Sequence, residues 1–352
     1  MLMRIVSSVT LVIVLLGSVF FANAGELPRY HFKALVQDSY SLETKAVQVP
    51  FWTKTLPEAS NGRITADTTP IEQAGVDDRS MLRLLRLGVF EFATMDISKM
   101  AGDDPRFEGC DLAGISLDAK TARKACDAYR GVLDRIMQEK WNAKLLATGL
   151  AAPQIFWCKS DIKNLASLKG KKVRSINKNM SDFVKSVGAE PVSINFNEVV
   201  SALQRGVVDC GVTGPLSGNT GGWTEVTTHI YPLALGWSIK VTAVNLNTWK
   251  RVDANTQQFL LDQFAKFEDT FWEKMETFRA DIENCNVGKQ PCTLGKVANM
   301  KLIPVVDQDR ETRKQLVESV VIKNWADRAG GDAAREWNDT VGKVVGMRIP
   351  VK

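Results

Sequence analysis

Arg174 is the side chain whose type and setting promise the most chemistry in this 352-residue sequence. It ends the run Lys171-Lys172-Val173-Arg174, which reads as a strand over Lys171–Ser175. A guanidinium there offers a planar fork of donors that pairs with a carboxylate at two points, which a lysine ammonium does not match. Further on, Thr213-Gly214-Pro215-Leu216-Ser217-Gly218-Asn219 is rich in glycine and hydroxyls. Backbone N–H groups in such a loop can face an anion. Trp157 and Trp237 fall near predicted strand ends, where an indole either floors a ligand pocket or fills a core. In the first half, Gln37, Glu72 and Asp96 occupy the corresponding strand ends. Arg174, Thr213, Gly214, Asn219, Trp157, Trp237, Gln37, Glu72 and Asp96 are therefore the candidate ligand contacts.

The machinery of catalysis is sparse. Nucleophilic catalysis wants a base beside the nucleophile, yet the sequence has only His31 and His229. It contains no Gly-x-Ser-x-Gly elbow, no Walker A loop, no Gly-x-Gly-x-x-Gly and no His-Glu-x-x-His. No catalytic residue, metal site or cofactor is expected. An enzyme using the acids Glu72 and Asp96 is the alternative reading.

The six cysteines lie at 110, 126, 158, 210, 285 and 292. An even count suggests disulfides if the chain is exported. Export is what the N-terminus predicts. Arg4 precedes the apolar run Ile5–Phe21 and the small-x-small stretch Ala22-Asn23-Ala24, so residues 1–24 read as a cleaved signal peptide. Cys285 with Cys292, which flank a turn-like stretch, is the most direct pair. Cys110 with Cys126 and Cys158 with Cys210 complete one set, although spacing alone leaves the connectivity open. The net charge of +5 is interspersed, with no basic tract of the kind nucleic acid requires.

Two similar stretches position these residues. Met81–Thr94 reads MLRLLRLGVFEFAT and Val199–Val212 reads VVSALQRGVVDCGV. Leu85, Gly88, Val89 and Glu91 match Leu203, Gly206, Val207 and Asp209. Each copy predicts a helix ended by a left-handed glycine and followed at once by a buried strand. Around the first copy, strands at Tyr30–Val36 and Arg63–Thr68 and a helix at Leu42–Ala59 give a βαβαβ pattern. Around the second, the strands are Lys171–Ser175, Pro191–Asn195 and Val208–Thr213. A helix about Ala119–Lys144 leads to a strand at Gln154–Cys158. Ser238–Leu246 reads as a strand crossing between lobes, and Ala254–Glu283 as a long amphipathic helix. Helices about Asp309–Ala329 and Asp332–Val345 close the chain. The expected fold is α/β with two lobes, each a mostly parallel sheet flanked by helices. Residues 25–153 and about 240–285 would form lobe one, and 154–239 and about 286–352 lobe two. In such sheets, ligands sit beyond the carboxyl ends of the strands.

Three segments taken together resemble a known family. They are Leu168-Lys169-Gly170-Lys171-Lys172-Val173-Arg174, Val187-Gly188-Ala189-Glu190-Pro191-Val192, and Glu198-Val199 with Ala202-Leu203-Gln204-Arg205-Gly206-Val207-Val208-Asp209. In this order and spacing they resemble the DctP-type solute-binding proteins of TRAP (tripartite ATP-independent periplasmic) transporters. The resemblance implies a monomeric periplasmic receptor that closes over a small organic acid and delivers it to an ion-gradient-driven membrane permease. It places the family's selectivity-setting arginine on Arg174. Two departures stand out. Thr213-Gly214-Pro215 stands where many members carry Asn or Glu before the proline, and Gln154-Ile155-Phe156-Trp157-Cys158 does not follow the family's Asn-Gly-Phe-Arg. With Trp157 and Trp237, these departures imply an aromatic or apolar monocarboxylate. A sensor for a membrane receptor would use the same closed state.

Overall fold

The computed structural model describes residues 26–350, so the expected signal peptide lies outside the described residues. Two sheets organise the chain. Sheet one holds β1 (Tyr30–Val36), β2 (Ile64–Pro70), β3 (Phe92–Asp96), β4 (Ala143–Leu150) and β10 (Ile239–Asn245), in the order β2-β1-β3-β10-β4. Sheet two holds β5 (Ile155–Cys158), β6 (Lys172–Ser175), β7 (Glu190–Ser193), β8 (Cys210–Thr213), β9 (His229–Tyr231) and β11 (Lys301–Leu302), in the order β11-β9-β5-β8-β6-β7. Three parallel strands open each sheet, β2-β1-β3 and β7-β6-β8. An antiparallel strand joins each trio, β10 beside β3 and β5 beside β8. The sheets are thus more mixed than the sequence pattern suggests, because strands that cross between lobes arrive running the other way.

The repeated stretch explains the likeness of the two trios. Its helices are Met81–Leu87 and Val199–Gln204. In the first copy, Gly88 N–H donates to Leu85 O and Val89 N–H to Leu84 O, at 3.0 and 3.1 Å. In the second, Gly206 N–H donates to Leu203 O and Val207 N–H to Ala202 O, at 3.1 and 2.9 Å. These paired bonds satisfy the last helical carbonyls and require a left-handed residue; Gly88 and Gly206 have φ of 72° and 73°. The matched acids then bracket the neighbouring strand. Glu91 N–H donates to Lys33 O at 2.9 Å, and its carboxylate accepts Lys33 N–H at 3.0 Å. Asp209 does the same with Lys172, at 2.8 Å for both bonds.

One difference from the sequence reading concerns the helix predicted to reach Lys144. It spans Ala119–Trp141 and stops at Asn142, a left-handed C-cap, after which β4 begins. The apolar run of β4 (AKLLATGL) has no period that separates a strand from a continuing helix.

The 33-residue helix Ala254–Asn286 packs on β4 and on the helix Pro215–Thr220, so it touches both lobes. Its Phe264, Phe267 and Phe271 join Phe51, Trp52 and Phe92 in the large core. A second core on one face of sheet two gathers Trp157, Trp223, Leu203 and Ile230. The cysteines pair as Cys110–Cys126, Cys158–Cys210 and Cys285–Cys292. Among the described residues no helix is long and apolar enough to cross a membrane.

Candidate functional site

Arg174 lies near the carboxyl edge of sheet two and is 3% exposed. Its Nε donates to Ile194 O at 3.0 Å and its Nη1 to Val212 O at 2.8 Å. The guanidinium carbon stands 5.7 Å from the Trp223 ring centroid. Opposite Arg174 in β8 is Gly211, where an added Cβ would strike the Trp223 ring at 2.7 Å. A glycine there lets the indole lie under the arginine. Burial lowers the guanidinium pKa to about 10, and no neighbouring acid offsets it. A desolvated cation without a counter-ion is costly, and an anionic ligand would remove that cost.

The first lobe shows what the scaffold places at this position by default. Ala34 and Leu35 of β1 pair with Phe92 and Ala93, while Val173 and Arg174 of β6 pair with Cys210 and Gly211. Arg174 is therefore the counterpart of Leu35, which is fully buried. An arginine where the architecture otherwise takes a core leucine breaks a local rule, and such breaks concentrate at functional sites.

The strand exits differ in the same sense. At the end of β3, Asp96 faces Lys240 of β10 and accepts its ammonium at 2.9 Å. Asp96 also accepts Ser98 N–H at 2.9 Å and the Ser238 hydroxyl at 2.7 Å. Both charges are buried, with Glu43 3.9 Å from Lys240. Although burial opposes it, Lys240 and then Lys99 hold the Asp96 carboxyl far below the usual range. The matching exit of β8 brings Gly214 beside Gln154: a Cβ on Gly214 would lie 3.5 Å from the Gln154 amide nitrogen. One exit is closed by an internal ion pair, and the other is uncharged.

The segments beyond β1 and β2 carry Asp38, Glu72 and Asp78, the latter two on short helical turns. Burial, then the nearby Asp78 and Glu72, raises the Asp38 carboxyl to about 6. Glu72 is exposed and accepts Ser39 N–H at 3.2 Å. Gln37 is buried and donates to Thr94 O at 3.0 Å, which ties β1 to β3.

Three more of the sequence-derived candidates make packing or hydrogen-bond contacts within the scaffold. Trp157 is fully buried, edge-on to Trp223, and a Cβ at Gly218 would sit 2.4 Å from its ring. It fills the second core. Asn219 is also fully buried; its amide donates to Asn286 Oδ1 at 2.9 Å and Lys296 O at 2.8 Å. Trp237 is 5% exposed and donates from Nε1 to Ser116 O at 3.2 Å, pinning the crossing segment. Thr213 and Gly214 remain at the exit of β8 near Arg174. The residues overlooked are Lys240 and Gln154. Lys240 had a signal, since it is a lone charge inside the apolar run Trp237–Val244.

An apolar crevice of about 30 Å³ lies between the lobes. Leu42, Leu150, Pro153, Leu216, Met275 and Phe278 are among its walls. A larger hollow of about 360 Å³ includes Lys33, Gly88, Glu91 and Arg251. It sits at the opposite, amino end of β3, away from the strand exits.

Residues 36–324 match the family model DctP, described as bacterial extracellular solute-binding protein, family 7. The sialic acid-binding periplasmic protein SiaP of Vibrio cholerae is 26% identical over 284 residues, covering 80% of this chain and 86% of SiaP. Among solved structures, DctP7 of Bordetella pertussis, an extracytoplasmic solute receptor binding pyroglutamic acid, superposes with a TM-score of 0.74 at 19% identity, covering 89% of this chain and 99% of its own. A TRAP periplasmic solute-binding protein of Desulfovibrio salexigens with bound orotic acid gives 0.77 at 18% identity, covering 90% and 100%. The sheets, the crossing strands and a match over most of the chain lead to one conclusion: this chain belongs to the DctP family, family 7 of the bacterial extracellular solute-binding proteins.

Proposed function

We propose that this protein captures a small organic acid between its lobes, with Arg174 pairing with the carboxylate, and delivers it to the membrane permease of a TRAP transporter. The observation that carries the reading is the buried guanidinium without an acid partner, at a position where the other lobe has leucine. The relatives support the chemical class, because sialic, pyroglutamic and orotic acids are all acids. The protein is a receptor rather than an enzyme. An aromatic or apolar monocarboxylate suits it best. That choice rests on the departures at residues 154–158 and 213–215, and an apolar crevice with Leu42, Leu216, Met275 and Phe278 among its walls lies between the lobes. Thr213 and Gly214 border the carboxylate, and Gly214 leaves room that a side chain would occupy. The lobes are divided near residues 153 and 239, where the chain crosses.

A thermal-shift screen of organic acids tests the class, since a ligand specific for the native state raises the melting temperature. Aliphatic and aromatic monoacids should stabilise the protein, and Arg174→Ala should abolish the shift. A response confined to hydroxylated sugar acids would overturn the apolar assignment. A full response in Arg174→Ala would overturn the clamp.

A further inference from the structure

Most buried charges in this molecule have a partner. Asp96 has Lys240, Asp104 has Arg106 and Lys140, Glu268 has Arg130, and Glu108 and Asp182 share Arg328. Among the described residues, the buried cation left over apart from Arg174 is Arg313, which is 6% exposed on the helix Asp307–Leu316. Its isolation is more complete than that of Arg174. Arg174 donates to two carbonyls, whereas Nε of Arg313 is enclosed with no acceptor, and its side chain makes no hydrogen bond among the described residues.

The surroundings explain why no protein group answers it. The arginine stem lies against Gly114, where an added Cβ would meet Cγ at 3.3 Å and Cδ at 3.4 Å. That glycine belongs to the segment tied down by the Cys110–Cys126 disulfide. Asp309, one turn earlier on the helix, is committed to the Tyr231 hydroxyl and to Leu165 N–H. Asp307 faces Arg310 instead, at 3.5 Å. The charged neighbour that Arg313 does have is Arg310, a second cation, and burial together with Arg310 lowers its guanidinium pKa. Nε is the nitrogen fully shut away without a partner, which leaves the terminal nitrogens as the open end of the fork.

We propose that Arg313 and Arg310 form a second anion site, for a small inorganic oxyanion such as sulfate or phosphate, distinct from the Arg174 cleft. Arg313 supplies the planar fork, for which tetrahedral oxyanions are good acceptors. Arg310, exposed at the rim, adds a second cation whose charge is partly offset by Asp307. Tyr231, beside Arg313, belongs to the core on the other face of sheet two from Trp223, so the two sites do not share a pocket. The assignment does not rest on the transport reading, because the cleft plays no part in it.

The test uses the mature protein carrying Arg174→Ala, which removes the other buried cation without an acid partner. Thermal unfolding is followed while sulfate replaces chloride at constant ionic strength. The expected result is a saturable rise in Tm that Arg313→Met abolishes and Arg310→Gln shifts to roughly three- to ten-fold higher sulfate. No saturable rise, or a rise that survives Arg313→Met, overturns the site. If Arg313→Met does not fold, Arg310→Gln decides, because an unchanged sulfate midpoint in that variant also overturns it.

Discussion

The exits of β3 and β8 are built by the same repeated turn and end in opposite electrostatic states. In the first, Asp96 and Lys240 neutralise each other in a buried pair. In the second, Gly214 and Gln154 occupy the matching places, and the neighbouring strand carries Arg174 where the first lobe has Leu35. The backbone device is conserved within the molecule down to single bonds, since Glu91 and Asp209 bracket Lys33 and Lys172 identically. The difference therefore lies in side chains laid over an identical frame. Lobe one pairs its buried charge internally, and lobe two keeps a buried charge without an acid partner.

The largest test of this contrast is Lys240→Met. It strands Asp96 in a buried site, and removing one partner of a buried pair costs about 3–5 kcal/mol. Urea unfolding should report that loss. A second variant, carrying Asp96→Gly with Lys240→Gln, copies the other exit and should recover much of the stability. If the single change is nearly neutral, the pair is not what closes the first exit.

Arg174→Ala should do the reverse. It should weaken binding of a carboxylate found in the screen by about 100-fold or more in isothermal titration, as expected for a buried charge-assisted contact. Its effect on unfolding should be small. Arg174→Lys should fall between, losing the fork and keeping the charge. If Arg174→Ala costs more stability than affinity, the arginine belongs to the scaffold and the contrast collapses.

A pH series probes the crossing strand between the two exits. Asp111 accepts Trp237 N–H at 2.8 Å, and burial, with a further contribution from Asp96, raises its carboxyl to about 7. The native state thus holds a proton that the unfolded chain, with a pKa of about 4, has released. This contribution is fully present below the unfolded pKa and is lost as pH rises through about 7. The urea midpoint should fall between pH 5 and pH 8, and Asp111→Asn should flatten the fall. A slope unchanged in Asp111→Asn would assign it to other groups.

The smallest effect should be a symmetric one. Gly88→Ala and Gly206→Ala each place a Cβ on a left-handed residue, costing roughly 1–2 kcal/mol. Similar losses in both would support the shared frame. Strongly unequal losses would mean that the two turns carry different loads.

Much of this frame could be read from the sequence, because it rests on local rules. A glycine seven residues after the start of an apolar helix face announces a left-handed cap, and the strand Tyr30–Val36 shows its alternation directly. Arg174 stood out by its place at a strand end. What the sequence hid depends on long-range packing. The packing of Gly218 against Trp157 and the bond from Asn219 to Lys296 O cannot be read from the residue types alone. The partnership of Asp96 with Lys240 joins residues 144 positions apart. Strand β4 was missed because an apolar run without polar interruptions fits a buried helix as well as a central strand.

The placement of β10 has a consequence for how the chain is made. It lies between β3 and β4, yet its residues follow all of β5 through β9 in sequence. While synthesis runs from residue 97 to residue 238, β3 has no neighbour on that side, and β4 emerges with nothing to pair against. Both present open hydrogen-bonding edges of the kind that invites wrong pairing. The sheet begun first is thus left incomplete through the synthesis of most of the other, and it is finished by a strand delivered only with residues 239–245. A chaperone that holds the nascent chain extended would protect those edges until residue 245 has emerged.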